Sequence, residues 1–230
     1  MISVSLFVNI TILILLVVFF RKIISRFIDT HVSNEPLLFG SRSLRGTSSD
    51  LVISANILDN PKKSRKVTYN LWLQLDNIGN SRGDITDKII FNHNNNFRVV
   101  YNAKQSKLNF LIGKRKQKYK NCEIQVPQQK WFNINIGFEG TLMDIYIDGE
   151  LKKTIRLDIV PDIPNGQITI VCKKCTQKVD KPNSNSGVYG DIDIFRYFNR
   201  YLEPERVKEI YEASKPENNG QPSDNAFWWM

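Results

Sequence analysis

The chain has 230 residues, with 32 Lys and Arg against 23 Asp and Glu, and a net charge of +9 at pH 7. Three cysteines are an odd number in a chain long enough to fold without disulfides, which argues against a disulfide scaffold and favours reducing surroundings. The two histidines, His31 and His93, leave histidine-based catalysis and a histidine metal site without support.

Residues 1–20 carry no charged side chain, and Arg21 and Lys22 follow at once. An apolar helix of ~20 residues matches a hydrocarbon core of roughly 30 Å. A cleaved secretion signal is the alternative, but the basic start, the shorter apolar stretch and the small-residue cleavage site of such a signal are missing. We therefore predict a transmembrane anchor over residues 1–22, which contacts the lipid bilayer through residues 1–20.

The flanks of this anchor predict its orientation. Arg21, Lys22 and Arg26 follow the apolar stretch, whereas only the amino terminus precedes it. Because positive residues remain on the cytosolic side, a single-pass protein with a cytosolic C-terminal domain is expected. Residues 23–47 mix isolated apolar residues with Ser, Arg, Gly and Pro, which is typical of a linker or an extended arm.

Alternation with a period of two predicts strands along residues 48–212. It is clearest in residues 132–138 and 143–148, and a turn at Asp148 and Gly149 leads into residues 151–155, so a three-stranded meander is expected. About ten such segments with turns between them favour an all-β, two-sheet antiparallel jelly-roll sandwich. One short C-terminal helix is predicted over residues 204–211, which begins with proline and an acid.

Three stretches resemble the laminin-G-like and pentraxin-like jelly rolls of the concanavalin A-like lectin and glucanase superfamily. They are residues 126–136, where Trp131 opens a strand, residues 143–151 with the hairpin Tyr-x-Asp-Gly, and residues 190–205, where the last strand runs into the helix. The resemblance covers about residues 49–211. It implies the fold but not one function, because this fold hosts lectins, adhesion modules, hydrolases and structural domains.

Catalysis and metal binding have little support in the residues. Glycoside hydrolysis needs two facing carboxylates. Asp191 and Asp193 resemble the acidic strand of the glucanases in this superfamily, but the third acid of that strand is missing, since Arg196 follows Phe195. Asp144 and Asp148 add oxygen ligands suited to calcium, but without the spacing of a ligand loop. We predict a solvated acidic face, with no catalytic residue, no metal and no cofactor.

Other motifs favour interactions with partners. The basic residues are grouped, and the group predicted to bind a partner is Lys114, Arg115, Lys116, Lys118 and Lys120. Such a group suits anionic lipids or an acidic protein, while nucleic acid is disfavoured because no nucleic-acid-binding motif accompanies the charge. Cys172 and Cys175 are predicted to be a hairpin disulfide or free thiols, and Arg82-Gly83-Asp84 is interpreted as a turn.

Residues 213–230 read as a flexible tail that ends on Phe227, Trp228 and Trp229. Large aromatic side chains are strong anchors at interfaces, so these three are predicted to bind a partner. The chain is thus expected to be a non-enzymatic, membrane-anchored scaffolding protein. It resembles minor capsid proteins of large DNA viruses, which would connect the inner membrane of the virion to other capsid proteins. A carbohydrate-binding or cell-adhesion module is the alternative, with a glycan as partner.

Overall fold

The computed structural model describes residues 16, 37–40, 42–44, 51–55, 58, 66–76, 88–94, 96–113, 120–161, 166–170 and 188–216. The chain divides at residue 36, and residues 36–229 form the unit that contains the fold. No helix among the described residues is both long and apolar enough to cross a bilayer. Apart from Leu16, the predicted anchor over residues 1–22 lies outside them.

The described residues form thirteen strands and one helix. In chain order these are β1 Leu37–Phe39, β2 Arg42–Ser43, β3 Leu51–Ile53, β4 Lys66–Leu75, β5 Lys88–His93, β6 Phe97–Asn102, β7 Lys107–Ile112, β8 Lys120–Gln125, β9 Trp131–Glu139, β10 Leu142–Ile147, β11 Glu150–Arg156, β12 Ile168–Ile170, β13 Gly190–Phe198 and α1 Pro204–Ser214. The helix extends three residues beyond its predicted end.

The strands build two antiparallel sheets. Sheet A has the order β1-β13-β4-β9-β10-β11, with β2 also paired to β13, and sheet B has the order β3-β12-β5-β6-β7-β8. The predicted meander is β9, β10 and β11, which pair in sequence. The prediction of an all-β, two-sheet antiparallel sandwich with one short C-terminal helix is therefore confirmed.

Alternating side chains of both sheets meet in one core. On β4 the inward side chains are Tyr69, Leu71, Leu73 and Leu75, and all four are fully buried. They pack on aromatic residues of sheet B, with the rings of Tyr69 and Phe97 5.4 Å apart. Burial of one apolar face of each sheet stabilises the sandwich, at roughly 25 cal/mol per Å² of apolar surface removed from water.

The predicted linker or arm of residues 23–47 contributes two strands to sheet A. In β1, Leu37 pairs with Arg196, and in β2, Arg42 pairs with Ile192, so both strands run antiparallel to β13. The sandwich therefore begins well before residue 48, where the domain was predicted to start. These strands have only three and two residues, too few for alternation to reveal them.

The sandwich has two distinct ends. The arm end is defined by Lys66, Glu139, Leu142, Arg156 and Phe198, which begin or end five strands of sheet A. The rim end is the opposite one, where β4 and β8 finish and β9 and β13 begin. Because β1 is antiparallel to β13, which runs from the rim end to the arm end, the chain enters the sandwich from the arm end.

Strand β11 is an edge of sheet A and contains a bulge. Ile145 of β10 pairs with Lys153, but the next residue, Tyr146, pairs with Leu151, so Lys152 has no partner on β10. A bulge of this kind disrupts the ladder and increases the local twist of the strand.

Candidate functional site

Helix α1 covers the outer face of sheet A. The ring of Trp72 on β4 stacks on Tyr211, with centroids 5.7 Å apart, and its Nε1 donates a hydrogen bond to Oγ of Ser214 at 3.0 Å. The Ser214 hydroxyl donates in turn to the carbonyl of Ile210 at 2.7 Å. Trp72 and Ser214 are both buried by this arrangement. While the helix stays in place, a ligand has no access to this part of sheet A.

The Tyr-x-Asp-Gly hairpin seats the helix. Asp148 and Gly149 have positive φ angles of 52° and 76°, as the tight turn between β10 and β11 requires. A Cβ on Gly149 would lie 3.0 Å from the Tyr211 ring, so glycine permits the close approach of the helix. Tyr146 joins an apolar cluster with four residues of the last strand and the helix region: Phe198, Leu202, Val207 and Ile210.

Three asparagines lie fully buried beneath this cover. Nδ2 of Asn70 donates to Oδ1 of Asn133 and of Asn135, at 3.1 Å and 3.0 Å, and Nδ2 of Asn135 donates to Asn133 at 2.7 Å. Arg196 donates to Oδ1 of Asn70 at 3.4 Å. Each of the three amides is 0% exposed, so their mutual hydrogen bonds replace those lost to water. This network explains why asparagines occupy the alternate positions 133 and 135 of β9.

The aspartates of sheet A act as acceptors within the fold. Asp193 is buried, and its Oδ1 accepts the amide of Ile194 at 2.7 Å. Asp144 accepts the hydroxyls of Tyr201 at 2.6 Å and Thr154 at 2.5 Å. The prediction of a solvated acidic face is therefore wrong for Asp193, because helix α1 and the chain that leads to it cover that side of the sheet.

The pKa values of Asp148 and Tyr201 are both raised. Burial raises the pKa of the Asp148 carboxyl, although its Oδ1 accepts the amide of Asn133 at 2.8 Å. The pKa of Tyr201 is raised well above its usual range, first by burial and then by its hydrogen bond to Asp144. Asp148 stabilises the hairpin, and Tyr201 stabilises the corner between β13 and helix α1. These roles explain why an acid and a tyrosine occupy the two positions.

His93 is sealed in the core between the sheets. Its Nε2 lies 3.2 Å from the carbonyl of Gly166, which can only accept, so Nε2 carries the proton and Nδ1 accepts the Tyr69 hydroxyl at 2.6 Å. The side chain is fully buried, and burial lowers the pKa of His93 to about 4. Tyr197 packs against the ring, with a centroid distance of 6.0 Å, and its buried hydroxyl has no hydrogen-bond partner among the described residues.

The outer face of sheet B is polar but closed. Thr169, Asn92 and Arg98 lie in one cross-strand row, and Asn109 lies on the same face of β7. Arg98 is only 3% exposed, and the other three are also buried. A ligand therefore has no open access to this row in the present structure.

The rim end combines an exposed ring with polar loop side chains. Tyr189 is 40% exposed, the only aromatic residue of the described chain among its exposed large hydrophobics. Its carbonyl accepts the amide of Asp76 at 2.9 Å, and the carbonyl of Leu75 accepts the amide of Gln129 at 2.9 Å. Gln125 donates to the carbonyl of Gln105 at 3.2 Å and so connects the neighbouring loop. We call the segments 74–76, 102–106, 125–130 and 188–190 the loop rim.

A buried phenol lies below the loop rim. Tyr101 points inward from β6, and its hydroxyl has no hydrogen-bond partner among the described residues. Burial raises the pKa of Tyr101, and the negative charge of Asp76 raises it further, which places the carboxylate near the phenol. Two residues of the rim, Ser106 and Gln129, have positive φ angles of 54° and 59°. Residues other than glycine rarely adopt this backbone conformation.

Most of the predicted site residues lie outside the described residues. The aromatic residues Phe227, Trp228 and Trp229 lie outside the described residues, as do the anchor-flanking residues Arg21, Lys22 and Arg26. Of the predicted basic group, Lys114, Arg115, Lys116 and Lys118 also lie outside them, while Lys120 begins β8 at the arm end. Cys172, Cys175 and the Arg82-Gly83-Asp84 turn are likewise outside.

Comparisons with known proteins agree with the architecture. Residues 45–208 match a laminin G family model described as the concanavalin A-like lectin/glucanases superfamily. The chain belongs to this superfamily. No curated protein sequence is similar enough to the chain to count as a match. Membership of the superfamily places the sandwich among lectin-like folds, but it does not identify a ligand, because one fold hosts many functions.

Solved structures similar to this superfamily member include binding domains of botulinum neurotoxins. The receptor binding domain of botulinum neurotoxin D is 18% identical with a TM-score of 0.58, covering 78% of this chain and 46% of that one. The ligand binding domain of serotype D in complex with N-acetylneuraminic acid is 18% identical with a TM-score of 0.56, covering 78% and 44%. The chain thus spans less than half the length of these domains, and the likeness shows the fold alone.

No motif in the sequence marks the loop rim. Tyr189 lies between a polar stretch and β13, and Asp76 and Gln129 follow or precede strands without any motif. Their proximity depends on long-range pairing, since the amide of Asp76 bonds the carbonyl of a residue 113 positions later. The feature that distinguishes the rim end is the exposed ring of Tyr189, and this exposure can be seen only in a structure.

Proposed function

We propose that this chain is a non-enzymatic, lectin-like binding module that recognises a saccharide at the loop rim. The observation that carries the proposal is the exposed ring of Tyr189 on a rim that also presents the exposed side chains of Gln105 and Gln129. An aromatic ring packs on the apolar face of a sugar, while amide groups bond its hydroxyls. Superfamily membership supports this proposal, as does the complex of one structural neighbour with N-acetylneuraminic acid.

The hydrogen bonds that the aspartates accept within the fold support the non-enzymatic part of the proposal. Asp144, Asp148 and Asp193 each accept hydrogen bonds that hold the hairpin, the corner or the last strand. His93 has both ring nitrogens engaged in the core. Turnover of a glycan substrate that is lost in Asp193→Asn would contradict this part.

Binding of the full chain to an array of neutral and sialylated glycans, followed by titration of the best ligand, tests the proposal. Tyr189→Ala is expected to weaken binding about tenfold, or ~1.4 kcal/mol, while Tyr189→Phe retains most of the affinity because the ring remains. Leu142→Ala, which removes a side chain of the same 40% exposure at the opposite, arm end, is the matched control. Equal affinities of Tyr189→Ala and Leu142→Ala, or no glycan bound at all, would refute the loop rim as a saccharide site.

The second proposal is attachment within a virus particle. The uncharged residues 1–20 and the basic residues behind them favour a chain anchored in an inner membrane, with its domain on the cytosolic or capsid-facing side. There the domain would hold other capsid proteins. Protease protection in sealed membranes tests the side of the membrane, and cross-linking in purified particles tests the partner. A domain that resists protease until detergent opens the membrane would overturn the orientation.

A further inference from the structure

One row of side chains on the outer face of sheet A lies beyond helix α1. The helix ends at Ser214, which bonds Trp72 of β4, and Trp72 pairs with Asn133 of β9. Two residues nearer the rim end, and so on the same face of both strands, Gln74 pairs with Trp131. Trp72 and Asn133 are buried, whereas Gln74 and Trp131 are partly exposed. The outer face of sheet A therefore reaches solvent in the row next to the loop rim.

Trp131 is an aromatic residue that the fold leaves unused on this face. The next residue, Phe132, is fully buried in the core, so Trp131 points outward from the start of β9. Within the described part of the chain its indole makes no ring contact, and its Nε1 makes no hydrogen bond. Trp72, on the same face, uses its ring and its Nε1 to hold the helix. A partly exposed indole with an unused donor is suited to a ligand that has both an apolar face and oxygen acceptors.

Amide side chains accompany this indole and the ring of Tyr189. Tyr189 directly precedes β13 and Trp131 begins β9, the two strands on either side of β4. Because neighbouring strands lie about 5 Å apart, the two aromatic residues are separated by roughly 10 Å across the sheet. From the strand between them, Nε2 of Gln74 donates to the carbonyl of Gln129 at 3.5 Å. The side-chain amides of Gln105 and Gln129 are exposed and make no hydrogen bond with described residues.

From this arrangement we infer that the saccharide site continues from the loop rim onto the outer face of sheet A, where Trp131 forms a second subsite, and that the site takes an oligosaccharide of acetamido sugars. Tyr189 packs on one sugar ring and Trp131 on another further along the oligosaccharide. Gln74 and Gln129 exchange hydrogen bonds with the acetamido groups, which offer a donor and an acceptor as carboxamides do. The pairing of Gln74 with Trp131 fixes the second subsite before the ligand binds, which lowers the cost of ordering. This inference rests on the proposed function of the loop rim.

Calorimetric titration of the full chain with N-acetylglucosamine and its β1,4-linked dimer, trimer and tetramer tests the second subsite. The affinity should rise about tenfold from the monosaccharide to the trimer, because a second ring then packs on the protein. Trp131→Ala should remove this rise and leave the affinity for the monosaccharide unchanged, whereas Tyr189→Ala should weaken binding of both. Leu142→Ala, at the arm end, is the control and should match the unaltered chain.

Two further variants keep the test independent of any loss of stability in Trp131→Ala. Trp131→Phe retains a ring and should keep most of the affinity for the trimer, but it should lose the change in tryptophan fluorescence that the trimer causes in the unaltered chain. Gln129→Ala, at an exposed side chain, should weaken binding of the trimer several-fold. Thermal unfolding of each variant shows that it is folded.

The outcomes separate this inference from the proposed function. If the glycan array is positive but the trimer binds no more tightly than the monosaccharide, or Trp131→Ala binds the trimer as Leu142→Ala does, the second subsite is refuted and the loop rim remains a single-sugar site. An equal loss for monosaccharide and trimer in Trp131→Ala also refutes a separate subsite. If neither the array nor the oligomers show binding, the proposed function fails together with this inference.

Discussion

Protonation of His93 should destabilise the folded chain in acid. The pKa of His93 is about 4 in the fold, against 6.5 for an ordinary histidine, because the side chain is buried. As the pH falls below 6.5 the unfolded chain binds a proton that the folded chain does not, so the stability present above this pH is lost towards pH 4. At about 1.4 kcal/mol per pH unit, the free energy of unfolding should fall by roughly 3 kcal/mol between pH 7.5 and pH 4.

No carboxylate of a described residue is among the groups that face the His93 ring. The groups that face the imidazole are the hydroxyl of Tyr69 from β4, the ring of Tyr197 from β13 and the carbonyl of Gly166 before β12. A protonated ring would lose the bond that Nδ1 accepts from Tyr69, and the phenol keeps its proton because burial raises the pKa of Tyr69. The loss is a large part of the 5–15 kcal/mol that stabilises a typical domain.

Urea titration of the full chain in neutral detergent, followed by tryptophan fluorescence, measures this effect. For an m-value of about 2 kcal/mol per M, the midpoint should fall by roughly 1.5 M from pH 7.5 to pH 4. His93→Gln should lose this difference, since glutamine does not titrate, whereas Tyr69→Phe should keep it while being less stable at both pH values. Other groups titrate in this range, among them Asp148, whose raised pKa acts in the opposite direction. The comparison is therefore between chain and variant, and an equal pH dependence in both would refute the reasoning.

Two substitutions test how helix α1 is held. Gly149→Ala should destabilise the domain by more than 1 kcal/mol, because the new Cβ would meet the Tyr211 ring at 3.0 Å in addition to the strain of a φ of 76°. Gly140→Ala shares a positive φ of 59° but meets nothing within 4 Å, so it should cost less, and equal losses in thermal unfolding would contradict the contact argument. Ser214→Ala leaves the buried Nε1 of Trp72 without its acceptor and should cost about 1–3 kcal/mol, with faster amide exchange confined first to the helix. Unchanged exchange in residues 204–214 would show that this hydrogen bond does not hold the helix.

Local patterns predicted most of the sandwich. The alternation in β9 and β10 and the Asp148-Gly149 turn each report on a few neighbouring residues, which is why the meander follows directly from the sequence. The burial of Asn133 and Asn135 does not follow in the same way. Their polar character suggests water, but a helix some 70 residues later covers them, and Asn70 from a distant strand satisfies their hydrogen bonds.

The candidate site was less predictable than the fold. Tyr189 and Asp76 come together only because β13 pairs with β4, and no motif surrounds either residue. The basic group from Lys114 to Lys120 is visible in the sequence at once, yet of its members the structure describes only Lys120, at the start of β8. Charge in a sequence indicates that a surface exists, whereas topology determines where that surface lies.

The bulge in β11 affects how copies of the domain can pair. A straight, unpaired edge strand would allow neighbouring copies to join edge to edge into fibres. The unmatched Lys152 twists this edge, and the adjacent Lys153 would place like charges opposite each other in a paired copy. This edge is therefore a poor template for a further strand, so copies of the domain can be concentrated without joining through it.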